Sequence, residues 1–324
     1  MRLATFNIES FGDDRLDPDG LAPRISALRP QLLELDADIL CLQEVNAQKP
    51  KGVKIRSFNA LRHLLEDTPY ATYHFASSLR PSGKGPGDRH NLVVLSKYPI
   101  LSAESHYQTH AHPALWQPTT AIPMAKAAAP VTFERPVLKT VIDLGLPKPL
   151  HVFAVHLRAP IAAMIPGGKN ADRTWRSISA WAEGYQLSVF QRTTQALELR
   201  LAVERLFDED SDAQIVLAGD FNATGDTSTL RLLRADPDDT GSPALAHRRL
   251  YQLDAALAPE QRQTVLHRGK GQALDHILTS PSLTDKVQGV RVFNANLADE
   301  VLHDGGPDFA GSFHAAMCAD FDLT

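Results

Sequence analysis

The chain has 324 residues, 43% of them hydrophobic and 22% charged, which supplies a sizeable apolar core and excludes disorder on any large scale. Lys plus Arg number 33 and Asp plus Glu 38, a net charge of −5, so the overall positive charge that drives non-specific nucleic-acid binding is excluded. Any contact with a polyanion must be local.

The opening stretch Met1-Arg2-Leu3-Ala4-Thr5-Phe6-Asn7 is too short in apolar residues for a signal-peptide core and reads as a strand. No stretch approaches the ~20 apolar residues of a membrane span, and a cytoplasmic protein is expected. A helix is predicted over Arg24–Leu35, interrupted near Pro30, and another over Phe58–Glu66 with Ser57 capping its first turn. Short apolar runs end in polar residues: Leu3–Phe6 before Asn7, Ile39–Leu42 before Gln43-Glu44, Val152–Val155 before His156, and Ile215–Ala218 before Gly219-Asp220. These predict buried strands that present chemistry at their ends. Hairpin-like strand pairs are expected around Leu92–Leu95 and Val137–Ile142.

The clearest helical pattern runs from Gly184 to Phe207, where Leu187, Phe190, Thr194, Leu197 and Leu201 mark the face expected to pack on a sheet. Irregular segments are expected at Leu101–Phe133 and Arg158–Glu183. The second, with Lys169, Arg173, Trp175, Arg176 and Trp181, suits a substrate flap or an excursion packed by its own tryptophans. Cys41 and Cys318 each sit in an apolar run and are expected as buried free thiols. With no repeat and no linker between motifs, residues 1–324 read as one domain.

Hydrolysis of a phosphate ester needs a hard cation, a base or positioned water, and donors to the transition state. Carboxylates, amides and histidines at neighbouring strand ends can supply all of these, and Asn7, Glu44, His156, Asp220, Asn222, Asp275 and His314 occur in that order. Singly each is a weak signal. Asn7 could merely end an edge strand, Asn222 could cap a turn, and Asp275 or His276 could be a surface residue. Glu44 and Asp220 stand out because each follows an apolar run in which an unpaired carboxylate would be costly.

Together, Thr5-Phe6-Asn7, Leu42-Gln43-Glu44-Val45, Asn91 through Ile100, Val155-His156-Leu157, Gly219-Asp220-Phe221-Asn222, Leu274-Asp275-His276-Ile277 and Ser312-Phe313-His314-Ala315 resemble the endonuclease/exonuclease/phosphatase superfamily of DNase I-like enzymes over nearly the whole chain. The resemblance implies an α/β fold, a two-layered β-sandwich flanked by helices. It implies a phosphoester hydrolase in which Glu44, helped by Asn7, holds Mg²⁺ or Mn²⁺, and Asp220 aligns or activates water. It further implies that Asn222 and His156 donate to the scissile phosphate and that Asp275 orients His314. The last histidine is usually preceded by Asp, and here that position is Phe313; a replacement acid is sought among Asp299, Glu300, Asp304 and Asp308.

The implied substrate is a phosphate ester, with nucleic acid among the candidates. A phosphodiesterase or nuclease comes first and a phosphomonoesterase on a small or lipid-linked phosphate second. A non-catalytic module with a decayed metal site, and a zinc hydrolase built on His106, His110 and His112, are the readings from other classes. Solvated loop histidines are the blander reading of that trio. Lys49, Lys51, Lys54 and Arg56 offer a local basic patch, and Trp116, Trp175 and Trp181 offer stacking surfaces.

Overall fold

The computed structural model describes residues 1–14, 18–303 and 309–323. Its strands are β1 (Arg2–Phe11), β2 (Ile39–Val45), β3 (His74–Ser77), β4 (Asn91–Ser96), β5 (Ile100–His106), β6 (Leu115–Trp116), β7 (Ala129–Pro130), β8 (Val137–Ile142), β9 (Leu150–His156), β10 (Gln214–Asp220), β11 (Tyr251–Gln252), β12 (Val265–His267), β13 (Lys270–Gln272), β14 (Asp275–Thr279), β15 (Val287–Val292) and β16 (Met317–Phe321). Twelve of them form two six-stranded sheets, β15-β16-β1-β2-β4-β3 and β11-β14-β10-β9-β8-β5. The principal helices are α1 (Pro18–Leu35), α2 (Asn59–Leu65), α3 (Ile178–Glu209) and α4 (Ser228–Arg234).

Side-chain alternation explains how the layers stack. On β1, Ala4, Phe6 and Ile8 join the apolar cluster shared with α1 and α2, while Leu3 faces the second sheet. Val152 and Ala154 of β9, and Val216 and Ala218 of β10, point into the same intersheet core as Leu3, Ile39 and Cys41. Phe153, Val155, Ile215 and Leu217 point the other way, onto α3 and α4. Period-two alternation therefore yields four layers, helices on either side of a double sheet. Cys41 and Cys318 are buried free thiols. Among the described residues, no helix is long and apolar enough to cross a membrane.

Four local expectations are corrected. α1 passes through Pro23 and Pro30 without interruption; Ser26 and Pro30 are not buried, so the carbonyl that Pro30 leaves unpaired can be hydrated. The first turn of α2 has no side-chain cap, and Ser57 bonds Asn59 Oδ1 instead. The Leu101–Phe133 segment begins as strand β5, and α3 starts at Ile178, six residues inside the second segment expected to be irregular.

The inward face of α3 is also not the expected one. Ala196, Leu199, Val203, Leu206 and Phe207 pack on the sheet, joined by buried Ser188, Arg192, Gln195 and Glu198, whereas Leu197 is exposed and Leu187, Thr194 and Leu201 are half-buried. The polar residues turn inward because loops are tied to them. Gln195 Oε1 accepts from Arg158 N at 2.8 Å, Arg192 Nη1 donates to Arg158 O at 3.0 Å, and Ser188 Oγ donates to Ile161 O at 2.5 Å. The Arg158–Glu183 segment thus packs along the start of α3, with Trp175 against Gly184 and Lys169 Nζ 4.7 Å from the Trp175 ring centre.

Candidate active site

The alternation that builds the intersheet core also delivers chemistry to one end of it. Thr5 and Asn7 continue the face of Leu3, His156 continues Val152 and Ala154, and Asp220 continues Val216 and Ala218. β9 and β10 are parallel and in register, His156 opposite Asp220, while antiparallel β14 brings Asp275 opposite Asp220 from the other side. Gly219 makes this close approach possible. Its φ is +151°, and a Cβ there would lie 2.0 Å from Val155 O. β1 lies between β16 and β2, so Asn7 is on a central strand and not at an edge.

Glu44 reaches the site by a different route. Alternation from Leu40 and Leu42 would send it towards the helices, but Glu44 has φ +60° and the β2 pairings shift register around it. The bulge turns its carboxylate into the site. Asn7 Nδ2 donates to Glu44 Oε1 at 3.3 Å and to Asp220 Oδ2 at 3.2 Å. His156 Nε2 lies 3.7 Å from Glu44 and 3.5 Å from Asp220, and His314 Nδ1 lies 2.9 Å from Asp275 Oδ2. Donor atoms of Asp220, Asp275 and His314 lie within 4.8 Å of one another. The structure therefore brings together Asn7, Glu44, His156, Asp220, Asn222, Asp275 and His314.

Two amides act as braces in this arrangement. Asn7 presents its nitrogen, which cannot ligate a cation, to Glu44 and Asp220, while its oxygen accepts from Glu9 N at 3.0 Å. Asn222, at φ +49°, gives both side-chain N–H groups away, to Leu157 O at 3.1 Å and Asp220 Oδ2 at 3.0 Å. It caps no turn. His276 is fully buried on the opposite face of β14, between Asp254 Oδ2 at 2.9 Å and Ala223 O at 2.8 Å.

The electrostatics separate the carboxylates. Burial works against the Glu44 charge, but the His90 hydrogen bond and nearby positive charge, that of Arg135 included, outweigh it and hold its pKa well below the ordinary carboxylate range. Burial raises Asp220, and the like charge of Asp275 raises it further. Burial would lower His314, yet Asp275 overcomes that through charge and hydrogen bond and lifts it to about 10. Burial and Arg135 hold His156 well below its ordinary value, so its imidazole is neutral.

Sequence motifs missed three residues. Arg135 Nη1 donates to His156 Nε2, and its guanidinium is buried near Glu44 and Asp220. A signal existed: continuing the β8–β9 pairing of Leu138 with Ala154 places Pro136 opposite His156 and Arg135 beside it. His90, at φ +55°, lies 3.2 Å from Glu44 Oε2. Glu9 belongs to a β1 bulge where Glu9 and Ser10 have φ of +49° and +45° and Arg24 Nη2 grips the Ile8 and Glu9 carbonyls. Nothing in the local sequence announces that bulge.

The Endonuclease/Exonuclease/phosphatase family model matches residues 4–299. The chain belongs to this family. Truncated Caenorhabditis elegans TDP2 is similar at 15% identity and a TM-score of 0.57, covering 99% of this chain and 96% of its own. A family protein from Leptotrichia buccalis C-1013-b is similar at 17% identity and a TM-score of 0.53, with both chains covered fully. A substituted form of the 3' phosphatase NExo from Neisseria, bound to product DNA hairpin, is similar at 17% identity and a TM-score of 0.50, again over the full length of both. At such identities the likeness is one of fold, the expected α/β sandwich. No curated protein matches the chain.

Endonuclease/exonuclease/phosphatase family members are typically phosphoester hydrolases that use divalent metals, and the acids around Glu44 are suitable hard ligands. Of the acids first sought as replacements at Phe313, Asp299 and Glu300 are engaged elsewhere. Asp299 accepts from the amides of Arg268, Gly269, Val301 and Leu302, and Glu300 pairs with His267 at 2.8 Å. Asp304 and Asp308 lie outside the described residues. Glu9 is an acid beside that position: its Oε2 accepts from Phe313 N at 3.1 Å, close to His314 and Glu44. The Phe313 ring turns away, stacked 4.5 Å from Phe309 and 4.8 Å from His303.

Proposed function

We propose that the protein, as one catalytic domain over residues 1–324, is a Mg²⁺- or Mn²⁺-dependent phosphodiesterase acting on an extended polyanion, with nucleic acid the leading class. The single observation that carries this reading is a pocket of about 380 Å³ that runs outward from Arg135 and His90 and is lined by Arg56, Arg80 and Arg89. Arg56, Arg80, Arg89 and Arg135 line it beside two carboxylates, Asp88 and Glu134; Arg56 is paired with Asp14, so Arg80, Arg89 and Arg135 make the local positive surface on a chain of net negative charge. A lone phosphomonoester would fill the centre and leave this pocket idle. The DNA hairpin bound by the Neisseria phosphatase supports a nucleic-acid substrate.

In this reading Glu44, with Glu9 in place of the missing acid, holds the divalent ion. When bound, the ion neutralises phosphate oxygens and lowers the barrier to attack on phosphorus. Asp220, braced by Asn7 and Asn222, takes a proton from the attacking water as the new O–P bond forms and the bond to the leaving oxygen breaks. Positively charged His314 and Arg135 face the charge that develops on the phosphate. Neutral His156 accepts the Arg135 hydrogen bond and fixes the guanidinium.

The ion-binding assignment is tested by calorimetric titration with Mn²⁺. Wild type should show one weak site, Glu44→Ala should abolish it and Glu9→Gln should weaken it about tenfold. Unchanged affinity after Glu44→Ala places the ion elsewhere. The substrate assignment is tested with Arg80→Ala/Arg89→Ala, which should raise KM for a single-stranded oligonucleotide about tenfold at about 0.1 M salt and flatten its salt dependence. A small aryl phosphodiester should be cleaved as before. An equal loss on both substrates, or faster turnover of phosphomonoesters than of any diester, favours the monoesterase reading.

A further inference from the structure

A second group of metal-ligating side chains lies away from the catalytic centre, where β5 and the loop after it meet α3. His106 ends β5 and is 6% exposed, and its ring lies edge-on to that of His110 at 5.2 Å. Glu198 is fully buried on the inward side of α3. One donor atom from each of His106, His110 and Glu198 falls within 4.8 Å of the others. His112, the third histidine of the sequence spacing, is exposed and outside the group. The carboxylate came from a helix about ninety positions away.

Two further observations point to a ligand. The Nδ1 atoms of His106 and His110 are both buried without a hydrogen-bond partner among the described residues, a costly state for a polar atom. The other nitrogen of His106 faces Glu104 Oε2 at 3.1 Å. A carboxylate on one imidazole nitrogen fixes the tautomer and leaves a lone pair on the other, the usual backing of a metal-bound histidine. Glu198 is held by the amides of Thr109, His110 and Ala111 at 2.7–3.1 Å, which seats the His110 loop against its carboxylate.

We propose that His106, His110 and Glu198 form a zinc site that pins the loop after β5 to α3. Two imidazoles and one carboxylate suit Zn²⁺, with water in the fourth position, and are poorly matched to the all-oxygen preference of Mg²⁺. The ion would be separate from the one at Glu44, and its role is to fasten the end of edge strand β5, which pairs with β8 alone in its sheet, and the loop after it to α3.

The test is calorimetric titration of the metal-stripped full chain with Zn²⁺ alone, beside His106→Ala, His110→Ala, Glu104→Gln and Glu44→Ala. His110→Ala should bind one equivalent fewer than wild type, Glu104→Gln should weaken that equivalent by about 10–100-fold, and Glu44→Ala should retain it. Zinc should also raise the Tm of wild type more than that of His110→Ala. His106 is buried and its variant can fail to fold, but His110 is half-buried and Glu104 exposed, so those two decide the matter alone. Wild-type stoichiometry and affinity in His110→Ala and Glu104→Gln would overturn the proposal.

Discussion

Asp220→Asn should reduce turnover by about 10³-fold or more while the protein stays folded. The carboxylate is the centre of the site: it accepts from Asn222 N at 2.8 Å, from Asn222 Nδ2 at 3.0 Å and from Asn7 Nδ2 at 3.2 Å. An amide keeps the volume and loses the proton acceptor. Two opposing effects act on stability. The new amide nitrogen meets the donors of Asn7 and Asn222, which costs about 1 kcal/mol per lost bond. Against that, the folded state raises the Asp220 pKa through burial and the charge of Asp275. A raised carboxyl pKa means that the ionised group destabilises the fold as pH rises above its unfolded value, so the variant gains relative to wild type on the neutral side. Circular dichroism melts at about pH 8 should therefore agree within a few degrees. A purified variant with wild-type turnover would discard the assignment.

His314→Ala should lose at least about 10²-fold in kcat/KM, and its stability should carry a pH signature that a packing defect lacks. The imidazole pKa is lifted to about 10 by Asp275 despite burial, against an unfolded value near about 6.5. A raised histidine pKa stabilises the fold fully below the unfolded value and loses that contribution as pH climbs through the folded one. The Tm gap between wild type and His314→Ala should be widest near about pH 6 and narrow steadily towards about pH 10. A gap independent of pH would mean that the ring only fills space, and full activity would remove it from the site.

Much of the site could be read because strand alternation and catalysis make the same demand. A buried strand must send every second side chain into the intersheet core, and residues that continue that phase past the apolar run, His156 after Ala154 and Asp220 after Ala218, emerge together at its rim. Glu44 was found from the cost of an unpaired carboxylate after an apolar run, although strict phase would have aimed it at the helices. Arg135, His90 and Glu9 were not found from motifs, because their placement depends on pairing register and on left-handed residues that lack glycine as a marker. The face of α3 was misread for a related reason. Periodicity counts only apolar side chains, whereas Arg192, Gln195 and Glu198 are buried as anchors for loops distant in sequence.

β1 supplies Asn7 and Glu9 and pairs with β16, whose neighbour in sequence is His314, and the terminal ammonium of Met1 donates to Phe321 O at 2.9 Å. A strand synthesised early is therefore among the last to find all its partners. Until β16 emerges from the ribosome, β1 has β2 on one flank and an open edge on the other. The nascent polypeptide then carries a half-paired strand, an open edge of the kind that favours aggregation, and a centre that lacks His314. Closing the sheet and completing the centre are one and the same step of assembly.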